Sequence, residues 1–308
     1  MCLLLGALII TAVAATGDCV GLAHADDPFA GVTIKAKPVA GPIVMLVGRG
    51  GNIAVSGGPD GVLMVDDQFA PLAGRIAAAV KALGHGPVKW LVNTHWHGDH
   101  TGGNSAFGKH ARIVAHQNVR RRLASDQVTA FGRAVKAKEP HGLPTITYAD
   151  GLSRHFNGEE IRLRHLAGGH TDGDSVVEFV GSGVWHLGDL FFNGSFPFVD
   201  LKHGGGVADY AKNVGRLVAL IPPDARIVPG HGPLATHADL VAFNKICVAT
   251  NGQVPAAAKG GASLKQAKAN GLPADYDRWG GGFINETLWV ERVYRSLKGM
   301  GMPEPEKK

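Results

Sequence analysis

Apolar residues along this chain follow two rhythms. Ile43–Val47 and residues 53–55 and 62–65 are short, β-branched runs of strand type, the last two joined by the turn signal Gly57-Gly-Pro-Asp-Gly61. Pro71 then opens a stretch in which Leu72, Ile76, Val80 and Leu83 recur at helical spacing. Strand-like runs return at 88–92 and 111–116, with a helix around 119–123. Residues 161–166 alternate, 176–180 and 184–187 form a hairpin about Gly181-Ser-Gly183, and 210–220 is helical. Ile227-Val228 reads as a last short strand and 287–297 as a terminal helix. Residues 124–145 keep neither rhythm and are expected to be a polar surface excursion bordering the active site. Strands and helices interleaved in this way, without a repeat, predict α/β layers.

Composition narrows the class. The 308 residues allow one large domain or two small ones, and 45% hydrophobic residues describe an ordinary globular core. A formal charge of +5 is small for this length, and the triplet Arg120-Arg121-Arg122 reads as a solvated helix face, so no nucleic-acid partner is expected. The ends differ in character. MCLLLGALIITAVAAT is an uncharged apolar run, and Ala23-His24-Ala25 ahead of Asp26-Asp27 has the small-x-small form of a cleavage site. Residues 1–25 therefore read as a signal peptide and 26–308 as the mature domain, periplasmic or secreted, with no stable membrane partner. Cleavage would remove Cys2 and Cys19, leaving Cys247 alone, which rules out a disulfide within one mature chain and disfavours a thiolate ligand.

The most informative stretch is NTHWHGDHTGGN at residues 93–104. His95, His97, Asp99 and His100 are strong metal ligands, and the glycines among them have no side chain to pack. The apolar run 88–92 delivers the loop, and a chain extended through two further residues points His95 and His97 to one side. Three later points each end a strand-like run with another ligand type: His170 in Gly-Gly-His-Thr, Asp189 in Trp-His-Leu-Gly-Asp, and His231 in Ile-Val-Pro-Gly-His-Gly. The other histidines read more simply. His24, His85, His110, His141, His155, His203 and His237 fall in loops or polar contexts and are expected at the surface, whereas His116, His165 and His186 lie on strands as core or supporting groups.

Taken in order, His95-x-His97-x-Asp99-His100, His170, Asp189 and His231 resemble the metallo-β-lactamase superfamily along nearly all of the mature chain. The resemblance implies a four-layer αβ/βα sandwich with a two-metal site along one edge. It implies His95, His97 and His170 on one zinc, Asp99, His100 and His231 on the other, and Asp189 bridging, with two Zn2+ per chain; Fe or Mn also suits such a nitrogen and oxygen shell. The chemistry implied is a zinc-dependent hydrolase in which metal-held water, its pKa lowered towards roughly 7, attacks a carbonyl while Asp99 accepts its hydrogen bond.

The substrate implied is a small molecule: a lactam, lactone or ester. True β-lactamases of this superfamily commonly carry Cys or Ser where this chain has Asp189, and no Lys follows until Lys202; Asp189 matches the glyoxalase II and lactonase branches. A glyoxalase II-like thioester hydrolase is the alternative, with a non-hydrolytic metal-binding or redox member as a further one. Trp96, Phe196 and Phe198 are expected to contact substrate, within a run that also holds Phe191 and Phe192, although aromatic clusters after a strand are more often core.

Overall fold

The computed structural model describes residues 27–301, so the expected signal segment lies outside the described residues. Residues 27–31 make a turn closed by Ala30 N–H on the Asp27 carbonyl at 3.0 Å. From Val32 onward the chain builds two large sheets and one two-stranded one.

The first sheet comprises β1 (Lys35–Ala40), β2 (Ile43–Val47), β3 (Ile53–Gly58), β4 (Gly61–Val65), β5 (Val88–Asn93) and β6 (Arg112–His116). After a small hairpin of β7 (Gln127–Val128) and β8 (Ala134–Val135), it is completed by β9 (Ile146–Tyr148), in the order β1-β2-β3-β4-β5-β6-β9. The second sheet runs in sequence order through β10 (Gly151–Phe156), β11 (Glu159–His165), β12 (Ser175–Phe179), β13 (Val184–His186), β14 (Arg226–Val228) and β15 (Ala235–Thr236). Pairing is parallel at β4-β5, β5-β6, β6-β9 and β13-β14. The helices are α1 (Ala73–Ala82), α2 (Gly98–Thr101), α3 (Asn104–Phe107), α4 (Gln117–Leu123), α5 (Val207–Leu220), α6 (His237–Lys259), α7 (Leu264–Asn270) and α8 (Glu286–Leu297).

Period-2 alternation explains the layering. Leu63, Val65, Val92 and Val114 of the first sheet meet Ile161, Leu163, Val177, Phe179 and Val184 of the second in one apolar layer. On the other side of the first sheet, Ala115 packs with Trp96 and with Val119 and Leu123 of α4, while α1 buries Ile76 and Val80. Beyond the second sheet, Val176, Trp185 and Ile227 pack with Tyr210 and Val214 of α5, Phe243 of α6 and Trp289 of α8. The architecture is the expected four-layer αβ/βα sandwich.

Several elements go beyond the apolar rhythms. Strands β1 and β10 are largely polar and sit at sheet edges, where one-sided burial leaves little hydrophobic signal. Helix α6 runs 23 residues through Pro255 and opens on a capping box between Thr236 and Asp239. No helix of the described residues is long and apolar enough to cross a membrane.

Candidate metal centre

Parallel strands put their C-terminal ends side by side, and the site is built there. Strand β4 runs into Asp66, and its neighbour β5 runs into Thr94 and His95. Asp66 adopts φ 62°, a left-handed conformation unfavourable for a non-glycine residue. In that position its carboxylate accepts from Thr94 N–H and Thr94 Oγ1–H, each at 2.8 Å, and lies 2.8 Å from His100 Nδ1. In the second sheet, β13 leads to Asp189 in the turn Gly188–Leu190, and its parallel neighbour β14 leads to His231. His170 sits in the loop between β11 and β12, its N–H donating to Asp174 at 2.6 Å.

The seven expected ligands converge as two groups, His95, His97, His170 and Asp189 on one side and Asp99, His100 and His231 on the other. Asp189 joins them. Its Oδ2 lies 3.3 Å from His170 Nε2 and 3.7 Å from His95 Nε2, while its Oδ1 lies 3.0 Å from His100 Nε2 and 3.4 Å from His231 Nε2. Asp99 Oδ2 is 3.3 Å from His231 Nε2. Ring nitrogens also face one another, His170 Nε2 to His97 Nδ1 at 2.8 Å and His100 Nε2 to His231 Nε2 at 3.4 Å. Buried His95 Nε2 and Asp189 Oδ1 have no aligned hydrogen-bond partner within the protein. A buried polar atom left unpartnered is costly, and lone pairs crowded on a common point suit a cation. Gly51 and Gly230 leave the necessary room: a Cβ at the first would strike the His100 ring, and at the second Asp189 Oδ1.

Partners outside the cluster set the tautomers of His95, His97, His100 and His170. Thr94 Oγ1 spends its proton on Asp66 and so accepts from His95 Nδ1 at 3.0 Å, which leaves Nε2 bare. Asp66 likewise takes the His100 Nδ1 proton, and the Phe198 carbonyl takes that of His170 Nδ1 at 2.6 Å. His97 is reversed: its Nε2 donates to Asp200 Oδ2 at 2.9 Å, which turns Nδ1 inward. The same Asp200 oxygen receives His203 Nδ1 at 2.7 Å.

His203 is therefore buried, contrary to the surface position expected for it, because Asp200 needs a second donor out of water's reach. Asp66, Asp174 and Asp200 were not among the expected site residues. For Asp66 a signal existed, since a strand ending in a carboxylate is the pattern that marks Asp189; for Asp200 no local sign is present. Two of the three aromatics expected to contact substrate are core residues instead. Trp96, 3% exposed, packs with Ala115 and α4, and Phe196, 1% exposed, stacks on Trp289 with centroids 5.9 Å apart. Phe198 does flank the histidines, its ring 5.5 Å from His170 and 5.7 Å from His97.

The two groups differ electrostatically. Burial, reinforced by His100, holds His95 well below the usual imidazole range, and burial pushes His170 down to about 4. For His100 and His231 burial acts the same way but is outweighed by Asp189 and Asp99, so His100 stands well above its ordinary value and His231 rises to about 9. An ion entering beside His95 and His170 thus meets bare nitrogens at neutral pH, whereas one entering beside His231 must displace a proton whenever the pH is below about 9. Zinc titration is expected to show a first event without proton release and a second with it, the second affinity rising about tenfold per pH unit for each proton released. Calorimetry in buffers of different ionisation enthalpy checks this; equal proton release in both events would contradict it.

The pattern of the Metallo-beta-lactamase superfamily matches residues 46–231. A hydroxyacylglutathione hydrolase of Anaeromyxobacter dehalogenans (strain 2CP-C) is 29% identical over 158 residues, 50% of this chain and 52% of that protein. A double mutant of a sec-alkyl sulfatase superimposes with TM-score 0.68 at 14% identity, covering 89% of this chain and 51% of the other. The chain therefore spans about half the length of each of these two proteins. A metallo-beta-lactamase from Pontibacter korlensis superimposes with TM-score 0.56 at 19% identity over 70% of this chain and 99% of its own. With the ligand motif, the sandwich and a sequence match across more than half of its length, the chain belongs to the metallo-beta-lactamase superfamily.

Proposed function

We propose that the protein is a di-zinc hydrolase acting on a carbonyl compound, an ester, lactone or lactam. The observation that carries this reading is the division of Asp189, one oxygen towards each histidine group. The donor set fits two zinc ions: imidazole nitrogens and carboxylate oxygens, with Cys247 buried elsewhere in the core packed on the second sheet. His95, His97 and His170 would hold one zinc and Asp99, His100 and His231 the other, with Asp189 shared, and the pair would supply an acidified water and Lewis-acid polarisation of the carbonyl.

The chain's own residues do the rest. Burial works against the Asp99 carboxylate, yet His100 and His231 hold it down to about 2, so it is ionised across the working pH range. It is also partly exposed, which suits it to accept a hydrogen bond from the attacking water and later to pass a proton to the leaving atom. Asp66, Asp200 and the Phe198 carbonyl keep the protons of His100, His97 and His170 on the nitrogens that face away from the centre. A thioester is the second reading, favoured by the similarity to a hydroxyacylglutathione hydrolase over half of this chain.

Elemental analysis of gently purified protein is expected to find close to two zincs per chain. A screen of a chromogenic cephalosporin, an acyl-homoserine lactone, a glutathione thioester and an aryl ester is expected to give turnover on at least one, lost in His97→Ala without loss of fold. One zinc or none would overturn the two-metal reading, and silence on all four substrates would overturn the hydrolase.

A further inference from the structure

Phe198 does not stand alone beside the histidines. Phe131, in the loop between β7 and β8, stacks on it with centroids 5.3 Å apart and an interplanar angle of 26°. Phe283, just ahead of α8, packs edge-on against Phe131 at 5.4 Å and reaches Phe198 at 6.3 Å. Behind them the buried Arg292 guanidinium lies 4.2 Å from the Phe198 ring centroid and donates to the Val199 carbonyl at 2.9 Å, fixing the ring from within. The outer two rings remain in water: Phe131 is 50% exposed and Phe283 72%.

Singly exposed apolar residues are common, but two exposed rings packed on a third, largely buried one that abuts a polar centre mark a ligand surface. Its three members come from chain segments far apart, so their meeting is a product of the fold. The patch borders only one of the two ligand groups, that of His97 and His170. The far side carries the partly exposed Asp99 and His231. From this asymmetry we infer that Phe131, Phe198 and Phe283 form the binding wall for an uncharged alkyl or aryl acyl group of the substrate. This rests on the hydrolase reading, in which the carbonyl lies towards the His95, His97 and His170 group and the leaving atom towards Asp99 and His231. The acyl chain then extends over Phe198 and outward along Phe131 and Phe283, and short acyl groups leave the outer rings wet.

The test compares wild type with the double variants Phe131→Ala/Phe283→Ala and Phe131→Leu/Phe283→Leu, all zinc-loaded. Calorimetry with acetate, butyrate and octanoate measures binding, and p-nitrophenyl esters of the same acids measure kcat/KM. In wild type, affinity and kcat/KM are expected to rise about two- to threefold per added methylene. The alanine pair is expected to flatten both series, and the leucine pair, which keeps apolar surface, to restore most of the slope. A flat wild-type series, no octanoate binding, or an unchanged slope in the alanine pair would overturn the wall. Chain-length-dependent binding with no cleavage of these esters, and silence on the lactam, lactone and thioester probes as well, would uphold the wall and remove the hydrolase reading, whereas cleavage with a flat series would do the reverse.

Discussion

Replacing Asp189 by alanine is expected to release one zinc per chain and to reduce kcat/KM by more than about 100-fold, beyond the loss typical of a partner that only orients a ligand. The carboxylate is buried and shared, so its removal takes an oxygen from both ligand groups at once. It also removes the leading negative charge beside His100 and His231, so a cation entering that group meets less compensation. Asp189→Asn separates charge from shape, since the amide fills the same space. Zinc content and kcat/KM at saturating zinc, with near-UV circular dichroism to confirm the fold, provide the check. Both zincs retained with turnover within tenfold of wild type would end the bridging role.

Trp289→Ala is expected to give the largest loss of stability, about 3 to 5 kcal/mol. The indole is fully buried in α8, stacks on Phe196, and donates its Nε1–H to Thr250 Oγ1 of α6 at 3.0 Å. Truncation opens a cavity and also strips a buried hydroxyl of a partner. Urea unfolding followed by circular dichroism measures it, with the slope unchanged. A loss below about 1 kcal/mol would mean that the helices beyond residue 231, where the superfamily match ends, are peripheral to the core. Their packing argues otherwise, since Phe243 and Trp289 share one cluster with Trp185 and Ile227 of the second sheet.

What the sequence discloses depends on distance along the chain. The ligand loop is legible because His95, His97, Asp99 and His100 are neighbours, and β5 because Val88, Leu91 and Val92 give it a buried apolar run despite the exposed Lys89. Asp66 acts on His100 across 34 positions and Asp200 on His97 across 103; the first at least ends a strand as Asp189 does, whereas the second has no local pattern. Helix α6 buries Leu240, Phe243, Cys247, Thr250 and Val254 at helical spacing, but Asn251-Gly252 and Pro255 read as breakers and hide it. Trp96 and Phe196 mislead for the opposite reason: Trp96 lies between two ligands and Phe196 follows Asp189 by seven positions, but a large apolar ring is drawn into the nearest core.

The ligand sites divide between the sheets, with His95, His97, Asp99 and His100 following β5 of the first and His170, Asp189 and His231 carried on loops of the second. An ion held by His97 and His170 ties positions 73 apart, and one held by His100 and His231 ties positions 131 apart. Each closes a long loop by coordination, as a disulfide does covalently. In a chain with no cysteine besides Cys247 among the described residues, zinc would take the place of a cross-link, reversible and set by the free-metal concentration around the protein. Catalysis and durability would then draw on the same ions, and metal starvation would loosen the sandwich along the edge where it works.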